Sequence, residues 1–348
     1  MKRALLGTAL LGLALCARPA HAAPSIWQRA RAPAAASQQL ILNRIERLLG
    51  SVGLPEFEAD ISAGAIALSQ LGQSRWPCMT DSASAAKAAP AVLALDARLE
   101  YLIGGALLDS QVGREAEARC ILERALHDAP DSPLAAHGWA DLAIAAAKLG
   151  DREAEHGAYL RALELTWNPD SRGNLWANLA ESDMALGDLP RAIRGYRLAL
   201  QTSQQADLVA GAYFGLAVAL DRSGDLPSAL SAAKSAVSVP LPPTLFPVAS
   251  VLDLPNVFFT PTYELYYYKA LGSMALAQLA KDDFARRDAL ADAVEQWTLY
   301  LVRAEADHAR WAPRAALHKA SVARTLAELS AKLPKKPTET ADPELPLL

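Results

Sequence analysis

The side chains of this 348-residue chain that could do chemistry are few and scattered. Beyond the first two dozen residues the histidines are His127, His137, His156, His308 and His318, and no two form the HxxxH spacing that sets two metal ligands on one helix face. His308 and His318 are ten apart and would share a face on a continuous helix, but Pro313 in "ARWAPR" breaks it. The cysteines are Cys16, Cys78 and Cys120, with no CxxC and no Cys/His cluster of zinc-site spacing. There is no GxSxG, no HExxH and no phosphate-cradling glycine loop, and nothing pairs two carboxylates across a cleft. These residues are therefore expected to be surface or core groups, in a protein without metal, cofactor or reaction centre.

What must the rest of the chain do instead? Its start, "MKRALLGTALLGLALCARPAHAA", carries Lys2 and Arg3, an apolar run from Ala4 to Leu15, and a small-x-small end at Ala20-His21-Ala22. This reads as a secretory leader over 1–22, cleaved near Ala22, and the run is too short for a mature membrane span. A retained anchor and a lipid on Cys16 are the other readings; Leu15 before Cys16 is larger than lipidation prefers. Losing Lys2, Arg3 and Arg18 moves the formal charge from −4 to −7, so no basic face for nucleic acid is implied. No later stretch is apolar enough to cross a membrane. In an oxidising compartment Cys78, in the loop-like "SRWPCMT", and Cys120, on a helical stretch, could pair; two separate thiols are the alternative.

The organising feature is a repeat. Gly113, Gly150, Gly187 and Gly224 stand 37 residues apart. Eleven residues before each stand Leu102, Trp139, Trp176 and Tyr213; seven before, Ala106, Ala143, Ala180 and Ala217. Nine after come Leu122, Tyr159, Tyr196 and Ala233; twelve after, Ala125, Ala162, Ala199 and Ala236. A period of this length predicts stacked supersecondary units. Each unit reads as two antiparallel helices joined at the glycine, which accepts positive φ at a helix end. Asp151, Asp188 and Asp225 follow as N-caps, and Pro190 and Pro227 sit in first turns. The alanines mark close helix approach, and the Trp and Tyr residues fill the wedge between units.

These columns resemble the tetratricopeptide repeat family, whose period is about 34 residues. Trp176, Leu179, Ala180, Gly187, Ala192, Tyr196, Ala199 and Leu200 match its motif in full, and the likeness runs over 99–243. Departures are the longer period, Glu155 at a small-residue column, Gly105 at a leucine column, and a terminal proline kept only at Pro130. The resemblance implies an all-α, right-handed α-solenoid of stacked antiparallel helix pairs, with a partner groove on its concave side. By register it also implies the lining: Glu100, Ile103, His137, Asn174, Asn178, Glu181, Phe214, Val218, Asp221, Tyr266 and Lys269. Ile103 and Leu107 occupy the columns where some family members clamp a C-terminal carboxylate, so that ligand is excluded.

The expected organisation is a leader (1–22), an N-terminal helical segment with a loop (23–92), the repeat array (93–239), an insert (240–262), C-terminal helices continuing the array (263–333) and a disordered tail (334–348). Helices are predicted over 37–50, 56–72, 263–280, 288–304 and 312–333, with a loop over 74–90. The insert is rich in proline and contains Phe246, Phe258 and Phe259. It either folds back to plug an apolar end of the array or lines and gates the groove. The functional expectation is a non-enzymatic periplasmic scaffold or adaptor that binds another envelope protein or peptide. An outer-membrane assembly or secretion lipoprotein with such repeats, and a helical hydrolase or lyase acting on envelope polymers, stay open. Intact-mass analysis of the exported chain should show residues 1–22 removed; lipid on Cys16 would select the lipoprotein instead.

Overall fold

The structure is a computed structural model that describes residues 104, 108, 115–241, 250–254, 257–305 and 309–333. The leader, the helices expected within 37–72, Gly113 and the tail at 334–348 lie outside the described residues.

Ten α-helices follow one another among the described residues: α1 (Glu115–Asp128), α2 (Ala135–Lys148), α3 (Arg152–Leu165), α4 (Pro169–Leu186), α5 (Leu189–Thr202), α6 (Ala206–Arg222), α7 (Leu226–Ser238), α8 (Glu264–Leu279), α9 (Asp283–Ala304) and α10 (Ala312–Lys332). A 3-10 turn at Val251–Asp253 lies in the insert. Each helix packs on the next, giving a tetratricopeptide-like α-solenoid of the pairs α2/α3, α4/α5, α6/α7 and α8/α9, flanked by α1 and α10.

The three glycine turns are built alike. Gly150, Gly187 and Gly224 have φ of 79°, 91° and 104°, a region open to glycine at no steric cost. After each, the N–H of Asp151, Asp188 or Asp225 donates to the carbonyl of Ala146, Asp183 or Leu220, closing the preceding helix. The same aspartates accept from the N–H groups of Ala154, Arg191 and Ser228 at 3.2, 3.0 and 3.1 Å, opening the next helix. One residue pair therefore ends one helix and starts another. The α8/α9 pair lacks this glycine and turns through Ala280 and Lys281, with Asp282 accepting from Ala285 N–H at 2.8 Å. That cap starts α9 five residues earlier than the apolar pattern suggests.

The repeat columns form the core. Ala143, Ala180, Ala217, Ala125, Ala162, Ala199 and Ala236 are all buried, as are Leu122, Tyr159, Tyr196 and Ala233. The close approach is literal: a Cβ on Gly195 of α5 would lie 2.8 Å from the Cβ of Ala180 on α4. Trp176 performs the wedge role, packing half-buried against both large apolar clusters, one running from α1 to α4 and the other from α4 to α10. In the α8/α9 pair, Tyr268, Leu271 and Gly272 on α8 are buried.

First helices of neighbouring units touch one another, α4 with α6 and α6 with α8, more than the second helices do. The first helices therefore line the inside of the curve. Ala180→Trp should overpack the α4–α5 contact and cost at least about 1–3 kcal/mol, with damage falling mainly on the adjacent pairs. A thermal midpoint equal to that of the unaltered chain would contradict the register.

Candidate functional site

The concave face divides into an open part and a closed part. His137 on α2 and Asn174 on α4 are exposed, and Asn178 is half-buried. Asn178 Nδ2 donates to Asn174 Oδ1 at 2.8 Å, so the two amides form one pair along α4. Three of the expected lining residues need correction: Phe214, Val218 and Asp221, the last fully buried at the end of α6. Phe214 is 4% exposed and Val218 0%, and both belong to the apolar cluster that takes in Val251, Leu252 and Leu254 of the insert. The 3-10 turn packs against α6, and Phe214 also lies against Gly272 of α8, so this wall is core rather than groove. Tyr266 is half-buried beneath the Arg303 guanidinium, 4.7 Å from its ring centre, and Lys269 donates to Asp253 Oδ1 at 2.7 Å. Glu100, Ile103 and Phe246 lie outside the described residues.

At the boundary between the two parts stands a polar knot. Oε2 of Glu181 on α4 accepts from Tyr196 Oη and Tyr268 Oη, each at 2.5 Å. Tyr196 reaches across because its neighbour is Gly215: a Cβ there would lie 2.2 Å from the ring. Beside it, Arg152 Nη1 pairs with Glu155 at 2.7 Å, and Arg152 Nη2 donates to the carbonyl of Thr260 in the insert at 2.6 Å. Glu155 is the residue that departs from the small-residue column; Ala192 and Ala229 fill the same place in the next two units. Arg222, buried against the rings of Tyr267 and Trp311, forms an ion pair with Glu264.

Burial sets the electrostatics. It pushes the Glu155 and Glu264 carboxyls above their ordinary range, and Arg152 and Arg222 only partly offset this. It works against the Arg222 charge as well, but Glu264 together with Tyr268 and Tyr267 outweighs it and the guanidinium stays protonated. Tyr196 and Tyr268 are held firmly neutral by burial and by the Glu181 carboxylate they serve. They are therefore fixed hydrogen-bond donors.

A second cluster docks the C-terminal helix. Asp221, fully buried at the end of α6, accepts from Tyr267 Oη at 2.5 Å and faces His318 Nε2 at 2.9 and 3.1 Å. Arg314 Nη1 stands 3.4 Å away. Burial pushes the Asp221 carboxyl up, yet the hydrogen bonds from His318 and Tyr267 outweigh it and the group sits below its ordinary value. His318 lies against Trp297, which meets Tyr267 edge-on. Elsewhere His156 Nε2 lies 3.1 Å from Asp183 Oδ1, a charge contact without hydrogen-bond alignment, and burial raises that carboxyl.

The insert meets both parts. Phe259 stands edge-on to Tyr268 with ring centres 4.9 Å apart, and Phe258 projects outward with Lys148 Nζ 5.5 Å from its ring centre. On the other side of the array a cavity of about 510 Å³ between α1 and α3 is floored by Trp139 and Leu142 and rimmed by Arg119, Glu123 and Arg161. Cys120 is disulfide-bonded; Cys78, its expected partner, lies outside the described residues. Among the described residues no three His, Cys, Asp or Glu side chains are arranged to hold a metal ion, and no helix is long and apolar enough to cross a membrane.

Sequence reasoning missed Arg152, Arg222 and Glu264, and it read His318 as a surface or core group without its partner Asp221. Glu155, a carboxylate in an alanine column, was the one visible sign that something charged had to be met inside.

No protein-family model matches the sequence, and no curated protein matches it. Solved structures do. The protein MamA is 17% identical, over 57% of this chain and 95% of that one, with a TM-score of 0.38. BtubC from P. vanneervenii is 21% identical over 58% and 87%, at 0.39. The APC/C hetero-tetramer Cut9-Hcn1 is 15% identical over 85% and 54%, at 0.43. At these scores the likenesses carry no argument about function.

The Asp221 cluster gives a signed pH dependence. A carboxyl whose pKa is lowered on folding contributes stability above its unfolded value of about 3.8, and that contribution is lost as pH falls through the folded value. His318→Ala should cost about 3 kcal/mol or more at neutral pH, because it strips a partner from a buried charge. In chemical denaturation series the deficit should shrink as pH falls below 3.8 and through the lowered folded value, where Asp221 takes up a proton in the unaltered chain as well. A deficit independent of pH would show that His318 acts by packing alone.

Proposed function

We propose that this array of tetratricopeptide-like helix pairs is a non-enzymatic protein-interaction scaffold. The open part of its concave face, at His137, Asn174 and Asn178, takes an extended segment of a partner protein. The observation that carries this is the Asn174–Asn178 pair, solvent-facing on an inner helix beside a half of the groove that the chain fills itself. Two amides bonded once to each other keep further donors and acceptors for a peptide backbone. Against an enzyme stands the engagement of the acids on the inner face: Glu155, Glu181, Asp221 and Glu264 are each held by Arg, Tyr or His side chains, and among the buried acids Asp183 keeps one oxygen without a hydrogen bond. The partner is proposed to be an envelope protein, met in the periplasm. The leader-like first 22 residues support export, and a disulfide at Cys120 suits an oxidising compartment.

A photo-cross-linking residue at position 178 in intact cells should give one recurring adduct that the same residue at 197, on the exposed outer face of α5, does not. Asn174→Arg with Asn178→Arg should weaken the interaction with that partner by about ten-fold or more. Equal cross-linking from both positions, or none from 178, would overturn the reading.

A further inference from the structure

The insert has two parts that the structure treats differently. Val251, Leu252 and Leu254 are buried in the main apolar cluster, and Asp253 is tied to Lys269. This part is built into the fold. Residues 257–262 lie across the inner face more lightly: Phe259 and Thr260 are half-buried, while Phe258, Pro261 and Thr262 are exposed. Val257 and Phe259 pack on the main apolar cluster, the Pro261 carbonyl accepts from Glu264 N–H at the start of α8, and three further contacts hold the segment to the array. Arg152 donates to the Thr260 carbonyl, Phe259 meets the edge of Tyr268, and Phe258 faces Lys148.

Each of those contacts can be supplied by another chain. The Arg152 bond reads a backbone carbonyl, which any extended peptide carries. The Tyr268 contact reads one aromatic ring, and the Lys148 contact reads the ring before it. The surroundings add a sign. Glu155, Glu181 and Glu264 crowd the knot against Arg152 and Arg222, so an acidic peptide would meet repulsion; residues 257–262, Val-Phe-Phe-Thr-Pro-Thr, carry no charge. The seat also continues directly into the open face, because Asn178 precedes Glu181 by one helical turn on α4, and Glu181 bonds the same Tyr268 that bears Phe259.

We infer that residues 257–262 occupy the partner's own seat, so that the groove recognises an uncharged extended peptide with two adjacent aromatic residues, in competition with this segment. The inference rests on the scaffold reading above and names the chemistry of its partner. It also makes the insert a brake: a partner must displace the segment before it can bind along the full groove.

The test uses the full chain and a fluorescein-labelled peptide Val-Phe-Phe-Thr-Pro-Thr, read by anisotropy. Phe259→Ala weakens the internal segment and should bind the probe about five- to ten-fold more tightly than the unaltered chain, the range that an edge-on aromatic pair is worth. Phe258→Ala, at an exposed ring, should give a smaller gain in the same direction and guards against misfolding of the first variant. Adding Arg152→Lys, which keeps a cation beside Glu155 but loses the guanidinium's second prong, should abolish the gain. A probe with both Phe replaced by Ser should not bind. If folded Phe259→Ala and Phe258→Ala bind the probe no better than the unaltered chain, or bind the Ser probe equally well, the inference fails. Cross-linking from position 178 reports on the scaffold reading separately: a partner captured there with no peptide binding removes only this inference, and peptide binding with no partner captured removes only that reading.

Discussion

The close approach of two helices across alanine and glycine governs this molecule. Where Ala180 faces Gly195, there is no room for a larger side chain on either helix. Such a contact has little area of its own, so each pair must bury its outer faces against the next pair. Stacking follows, and so does curvature, because the first helices of successive units meet more closely than the second ones. The groove is thus a by-product of small residues repeated at a fixed interval. The glycine–aspartate turn locks the interval by satisfying the end of one helix and the start of the next with a single residue pair.

Inside that apolar scheme the chain places charges that are costly to bury. Glu155, Glu264, Arg152 and Arg222 lose hydration, and a buried pair recovers that loss only with good geometry and further hydrogen bonds. Here the recovery is shared between elements far apart in sequence. Arg152 on α3 serves Glu155 and the carbonyl of Thr260; Glu181 on α4 is served by tyrosines on α5 and α8. Removing any one partner leaves another buried charge exposed to the same penalty. Such a knot ties the α2/α3, α4/α5 and α8/α9 pairs and the insert into one arrangement, and the Asp221 cluster does the same for α10. Apolar packing between neighbours gives the array its cohesion; these long-range bonds fix which face of the insert and of the last helix turns inward.

The insert shows how a repeat array makes part of its groove unavailable. Its first part packs on α6 and joins the apolar cluster that holds Phe214 and Val218, where Phe214 also lies against Gly272 of α8. Its second part rests on the knot through one carbonyl and two rings. The difference in burial between the parts is a difference in how readily each can be exchanged.

The sequence by itself determined the units. Short-range constraints act within a few residues, and they are written where they act: positive φ at Gly150, Gly187 and Gly224, caps at the following aspartates, and small residues where helices touch. Those columns predicted both the elements and their stacking. The tertiary structure alone decided which inner-face residues stay accessible. Register assigns Phe214 and Asn174 to equivalent groove walls, but Phe214 is buried in a cluster shared by α6, α8 and the insert, while Asn174 stays exposed. Likewise Arg152 and His318 carry no mark in the sequence, since their partners Thr260 and Asp221 are about a hundred residues away and meet them only when the solenoid has closed. Local geometry repeats and can be read along the chain; pairing between distant charges depends on a curvature that no single repeat contains.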